Sequence, residues 1–367
     1  MRGMEPRPWN RRRSLTGAGA ALLASLGCAA LIASDASDAN ACGMFVPSLD
    51  QLLGTLPKLA VEQVLIVHDA DTKTEHFIRE IRVDRGATSF GFVVPVPGKP
   101  EVARVAQEPF KALRAELPLD APRAAGGPPG SASKGAPEGG GVTVLSEQRI
   151  GNFTTFVLAA TSGGGLEKWL ADNRFGAPPL ARGWIDHYVR HAFYFVAFRY
   201  DAPKDAPATG ITGETVRISF PTPVPYYPYL EPRHPAPSHD PRALAVWFAA
   251  RDAMHPIASL TRADGTTTIG QGAWRRHGSY DKARARLEKA IGPELAKLLP
   301  KGELVVSTYQ DQLSDRSGRG DVLFVPDVAQ KLDEAAVKER ARFLPILDPS
   351  LEEGEGLRPV SVLEDAR

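Results

Sequence analysis

The stretch Ser89–Val102, SFGFVVPVPGKPEV, is an apolar run that reads as a buried β-strand, yet it ends in Pro95, Pro97 and Pro100. Proline has no amide hydrogen for a sheet ladder, and the residue before it is held in extended or polyproline geometry. Val94 and Val96 can therefore continue the line of the strand while Pro95 and Pro97 stop its pairing. The segment Ile218–Pro225, ISFPTPVP, repeats the design. Two strands that stop on prolines predict sheet edges or ends protected against further pairing. The alternative is a recognition rim, with Pro95 and Pro97 among its contacts.

Around these strands the β signal recurs. VEQVLIVHD and EHFIREIRVD flank the turn-like DADTKT, and VTVLSEQRI and FTTFVLAAT flank Gly151-Asn152, which predicts two hairpins. EVARVAQEPFKALRAELP has apolar residues near helical spacing, with Pro109 at a break or a new first turn. GLEKWLADNRF and LARGWIDHYVRH read as amphipathic helices, and DKARARLEKAI as a charged one. AFYFVAFRYD, ALAVWFAARD, GELVVSTYQD and DVLFVPD read as strands. This order predicts an α+β fold of mixed or antiparallel sheets with proline-terminated strands, packed by a few helices.

The first forty residues differ from the rest. A basic stretch, RGMEPRPWNRRR, precedes the uncharged run Leu15–Ala33 and a polar segment ending Ala39-Asn40-Ala41. That is the three-part plan of a secretory signal, with cleavage expected after Ala41 so that the mature chain starts at Cys42. Arg12-Arg13 also suits a twin-arginine signal, although Thr16 stands where an apolar residue is preferred. An uncleaved N-terminal anchor is the alternative, because the uncharged run has about the length that spans a bilayer. Five arginines and three acidic residues leave with the leader, so the remainder is close to neutral. A near-neutral chain offers no electrostatic case for nucleic acid or an anionic membrane surface. Cys28 leaves too, and Cys42 alone can form neither an intramolecular disulfide nor a CxxC metal site.

The chain divides into five sections: a signal peptide at 1–41, a first β-rich α+β subdomain at 42–120, a flexible Gly/Pro-rich insertion at 121–141, a second α+β subdomain at 142–333, and a charged C-terminal helix and tail at 334–367. In the insertion, 11 of 21 residues are Gly or Pro, which leaves too few apolar groups to order the segment by burial.

Few residues carry visible chemistry. His187 and His191 lie four apart on one helix face, the spacing of helical zinc ligands, with Asp186 or His234 as further ligands. Tyr188 stands where a zinc peptidase would place glutamate, so ordinary histidines are the simpler reading. Tyr226, Tyr227 and Tyr229 in PYYPYLEP, with Trp247 and Phe248, offer rigid aromatic surface for a peptide or a sugar, or simply pack against the sheet. Asp69, Asp71 and Glu80 fall at calcium-loop positions, but Lys73 and Thr74 break that chemistry. Ser131-Ala132-Ser133-Lys134 matches a penicillin-interacting motif without its companions, and Arg319-Gly320-Asp321 is ordinary turn chemistry. No phosphate loop, dinucleotide fingerprint or nucleophile elbow is present, so no cofactor is expected.

Together, ACGMF, VLIVHDADTKTEHFIREIRVDRGATSFGFVVPVPGKPEV, LSEQRIGNFTTFVLAATSGGGLEKWLADNRF, GWIDHYVRHAFYFVAFRYD and VRISFPTPVPYYPYLEP resemble the bacterial family named domain of unknown function 2330. The resemblance runs from about residue 41 to 232 and implies an exported bacterial protein with no established activity. Many members place a second Cys a few residues after the first. Here Phe45 and Val46 occupy that neighbourhood, which speaks against a paired or metal-binding N-terminal Cys motif. The expectation is a periplasmic or secreted, non-enzymatic binding or scaffolding protein with an envelope protein or ligand as partner. It would touch a membrane only through an uncleaved leader. The alternative is a metal-dependent hydrolase built on His187 and His191.

Overall fold

The run VLIV at 64–67 has no polar face because its strand separates two cores. Val64 and Ile66 enter one hydrophobic cluster, Leu65 and Val67 the other. The computed structural model describes residues 44–47, 61–81, 83–85, 89–119, 141–175, 181–201, 209–211, 214–232, 243–261, 267–270, 274–311, 313, 316 and 319–326. In chain order the elements are β1 (Met44–Pro47), β2 (Val61–Asp69), β3 (Thr74–Glu80), β4 (Val83–Arg85), β5 (Ser89–Val96), β6 (Glu101–Arg104), α1 (Phe110–Glu116), β7 (Val142–Ile150), β8 (Phe153–Ala160), α2 (Gly163–Asp172) and α3 (Ala181–Arg190). They continue with β9 (Tyr194–Asp201), β10 (Thr209–Ile211), β11 (Thr215–Pro221), β12 (Tyr226–Tyr227), β13 (Ala243–Ala250), β14 (Met254–Thr261), β15 (Thr267–Gly270), β16 (Arg275–Tyr280), α4 (Arg284–Ala296), β17 (Val305–Asp311) and β18 (Arg319–Pro326).

The fold is α+β, with mixed and antiparallel sheets. A seven-stranded sheet runs β16-β17-β13-β2-β3-β11-β6. All its pairs are antiparallel except β13 with β2, where Ala243 stands beside Val61 and Ala249 beside Val67. A five-stranded antiparallel sheet runs β1-β5-β9-β8-β7, a four-stranded one β12-β18-β14-β15, and β10 pairs with β4. Both predicted hairpins are present, as β2–β3 and β7–β8. Strands from 42–120 and from 142–333 lie side by side in both large sheets. The leader, residues 121–140 and the tail from 334 lie outside the described residues, as do Ala39, Ala41 and Cys42. Among the described residues no helix is long and apolar enough to cross a membrane.

The layers follow from side-chain alternation. On β13, Val246 and Phe248 join the first core while Trp247 and Ala249 join the second. The second core is roofed by α1 and α4: the Trp247 indole donates to Leu117 O at 2.8 Å, and its ring lies 6.1 Å from that of Phe110. A large aromatic packed in this way contributes about 3–5 kcal/mol when judged by its removal. The first core lies between sheets. Phe92 and Phe198 stack at 4.4 Å in the five-stranded sheet, and Phe248 meets Phe324 of the four-stranded sheet at 4.3 Å. Against the five-stranded sheet, α2 and α3 pack through Trp169 on Phe156 and Trp184 on Phe195. Gly91 must be glycine, because a Cβ there would lie 2.1 Å from the Phe175 ring and 2.9 Å from Phe198 O.

The prolines mark strand ends inside sheets, not outer edges. β5 lies between β1 and β9, but β1 pairs only with Phe90–Val93, and Pro95 comes after that neighbour has run out. β11 lies between β3 and β6, but β6 covers only Val216–Ser219, short of Pro221. β14 repeats the arrangement: β15 pairs with Ala258–Thr261, and Pro256 sits beyond it, opposite Phe324. A strand can carry proline where one of its sides is already unpaired. One expectation is corrected. Of the stretch 101–118 read as a helix, Glu101–Arg104 is a strand on the edge of the seven-stranded sheet, and only Phe110–Glu116, started at Pro109, is helical.

Candidate functional site

The proline-tyrosine segment after β11 is buried, which removes it as a contact rim. Tyr226 and Tyr227 are fully buried and Tyr229 is 2% exposed. Pro95 is also buried, and Pro97 is half-buried in the bend after β5. Proline spacing holds this segment extended, so its side chains and amides reach in several directions at once. Tyr226 N donates to Glu75 at 2.7 Å, while Tyr229 N and Leu230 N both donate to Asp321 Oδ1, at 2.7 and 2.8 Å. The phenols of Tyr226, Tyr227 and Tyr229 donate to Asp321, Glu62 and Asp311, at 2.8, 3.3 and 2.8 Å. Trp184 Nε1 donates to Leu230 O at 2.8 Å and ties α3 to the same segment. Tyrosine at these positions serves its hydroxyl as much as its ring.

Two of those acceptors belong to a buried ionic cluster. Glu62 on β2 lies 3.2 Å from Arg79 on β3 and 3.2 Å from Arg316. Arg316 also bonds Asp311 at 3.0 Å, approaches Glu231 at 3.9 Å and lies 5.3 Å from the Tyr229 ring centroid. It has no exposed surface. One guanidinium thus stands among three carboxylates contributed by three separated parts of the chain, a geometry that its planar fork of donors can serve and a lysine cannot.

Asp321, at the start of the β18 apolar run, is the second node. Besides the two amides it accepts from Tyr226 and from Tyr188, whose hydroxyl lies 3.0 and 2.8 Å from its two oxygens. Burial pushes its carboxyl up to about 6, against the lowering effect of the Leu230 amide, His187 and the two tyrosines. Glu75 is pushed well above the ordinary range by complete burial, and its Oε1 meets no hydrogen-bond partner among the described residues. The tripeptide Arg319-Gly320-Asp321 therefore presents no aspartate to the outside.

The histidine pair is real as geometry. His187 is buried on α3, His191 lies half-buried in the turn after it, and their ring centroids are 5.0 Å apart. Among the described residues no group of three or more His, Cys, Asp or Glu is placed to hold a metal ion. Asp186, the suggested further ligand, sits where a Cβ on Gly163 would meet its Oδ1. His234 lies outside the described residues. A serine-histidine contact that the sequence did not reveal joins β3 to β11, with His76 Nδ1 2.8 Å from Ser219 Oγ. Burial, then Arg217, lowers the His76 imidazole to about 4, which makes it a poor base for activating a hydroxyl at neutral pH.

The surface departs from ordinary packing at β7. This nine-residue strand ends the five-stranded sheet, paired on one side with β8 and with no described strand on the other. Thr143 to Arg149 are exposed throughout, on both faces. Among the described residues, the exposed large hydrophobic side chains, Val144 (45%) and Leu145 (37%), are both on it. A bulge falls between Val144 and Ser146, which leaves Leu145 outside the ladder.

The missed positions share a signal. Glu62, Arg79 and Asp321 are charges set inside or at the head of apolar strand runs, where alternation turns them toward the core. Comparison with known proteins adds a family match. A family model described as an uncharacterised protein conserved in bacteria, DUF2330, matches residues 36–252. No curated protein matches. Among solved structures, a crystal structure of baculovirus P35 aligns at 6% identity and a TM-score of 0.33, covering 72% of this chain and 96% of that one. A likeness at that score carries no argument.

Proposed function

The chain belongs to the DUF2330 family of uncharacterised bacterial proteins, and from that premise we propose that it is an exported, non-enzymatic envelope protein that acts by binding through the open edge of β7. The observation that carries this reading is the seven consecutive exposed residues on a strand whose outer side pairs with no described strand, the Gln148 side chain reaching β6 through a 2.7 Å bond to Val102 O. Such an edge offers a row of backbone donors and acceptors to an added strand. The tyrosines and prolines that offered an alternative rim are spent on internal bonds and packing. Export rests on the leader pattern that ends at Ala41. The alternative, a metal-dependent hydrolase on His187 and His191, has two rings in place and no third ligand among the described residues.

A photo-crosslinking residue at Ser146, with a second at Lys168 on α2 as control, tests the reading in cells that express the full chain. The expected product is a discrete adduct from Ser146 alone, in the envelope fraction, carried by a chain that starts at Cys42. Adducts equally strong from Lys168, or none from Ser146, would overturn it.

A further inference from the structure

We propose that the partner at this edge is a second copy of the same chain, joined β7 to β7 about a two-fold axis; this rests on the binding reading above. The bulge at Leu145 interrupts the ladder, so the regular part of β7 is Ser146–Ile150, and its midpoint is Gln148. An antiparallel self-pair centred there sets Gln148 opposite Gln148 and Ser146 opposite Ile150. It also sets Glu147 of each copy opposite Arg149 of the other, so two opposite-charge cross-strand pairs form at once. Both side chains are exposed in the single chain, and Arg149, whose Nε donates to Gly151 O at 3.2 Å, keeps its terminal nitrogens for the pair.

The charges also select the register. In a two-fold antiparallel pair the centre must be a single residue or the midpoint between facing residues on one face. A centre at Glu147 places two glutamates face to face, and a centre at Arg149 places two arginines face to face. Like charges directly opposite one another are destabilising. Only the Gln148 centre opposes unlike charges, and it uses the whole regular segment. Val144 and Leu145 then approach Asn152 and Gly151 of the second copy, at the β7–β8 turn. The result is a closed, isologous pair in which the two five-stranded sheets become one continuous sheet, and the open edge disappears.

Sedimentation analysis of protein purified from cells expressing the full chain tests this. The expected result is a reversible dimer. Glu147→Arg and Arg149→Glu should each weaken it at least about ten-fold, because each places two like-charge pairs at the centre. The double variant, with the charges exchanged, should recover dimerisation, while all three keep the wild-type circular dichroism and melting temperature. A wild-type monomer at about 100 µM overturns the proposal. So does a dimer that ignores both reversals. If the purified protein is monomeric while Ser146 crosslinks to a different envelope protein, the self-pairing falls and the binding reading stands.

Discussion

Replacing Arg316 with alanine is expected to cost about 3–5 kcal/mol of folding stability, a large share of the roughly 5–15 kcal/mol that holds a domain together. The reason is what remains behind. Glu62, Glu231 and Asp311 are all buried, and the variant would remove the guanidinium that stands among all three, while Arg79 stays paired with Glu62. An uncompensated charge in a low-dielectric interior costs more than the pair contributed. Lysine should rescue poorly, since a single ammonium cannot reach Nε-to-Asp311 and Nη1-to-Glu62 positions together. Urea unfolding monitored by tryptophan fluorescence gives the measurement. A change below about 1 kcal/mol would show that the cluster is not what closes this part of the core.

Asp321 gives the second large effect, and one with a pH signature. Its alanine variant removes the carboxylate that two buried amides and two buried phenols share, each such bond worth about 1–3 kcal/mol when broken, so severe destabilisation is expected. Asparagine retains Oδ1 for the Tyr229 and Leu230 amides and removes the titration. Asp321 has a folded value raised from the ordinary 3.8 to about 6. A raised acid contributes stability that is present below its unfolded value and lost as pH rises through the folded one. The melting temperature of Asp321→Asn should therefore gain on that of the wild type between about pH 4 and pH 7, then run parallel to it. His68 and His76, both lowered by burial, act in the opposite sense over the same range, losing stability as pH falls below 6.5. Glu75 acts in the same sense as Asp321. The difference between variant and wild type isolates Asp321 from all three. A difference that is constant with pH would contradict the assignment.

Much of the fold was readable because local pattern and tertiary position agree. The β2–β3 and β7–β8 hairpins have turn residues between β-rich runs, and α2 begins at Ser162, whose hydroxyl accepts from Gly165 N. The parallel pairing of β2 with β13 was not readable, since nothing in either segment names a partner so far along the chain. β14 is not legible, because Pro256 argues against a strand unless the short reach of β15 is known. β15 and β16 lack a continuous apolar run. At the site, the sequence showed the tyrosines but not their burial. A tyrosine beside prolines looks the same whether its hydroxyl meets water or a carboxylate, and the carboxylates here lie far along the chain. β7 is legible as a strand, yet its double exposure depends on what packs beside it, which alternation alone does not report.

The ionic cluster also sets a timetable. Glu62 and its counter-ion Arg316 are 254 residues apart. At synthesis rates of about 5–20 residues per second, the acid emerges some tens of seconds before this second arginine of its cluster. The family match ends at residue 252, before Arg316, Asp321 and the strands β14 to β18. The matched segment of this chain must therefore wait for strands made after it. Arg79 can meet Glu62 early, but the full ionic cluster and both flanks of the core around this central strand are complete only when nearly the whole chain has been made.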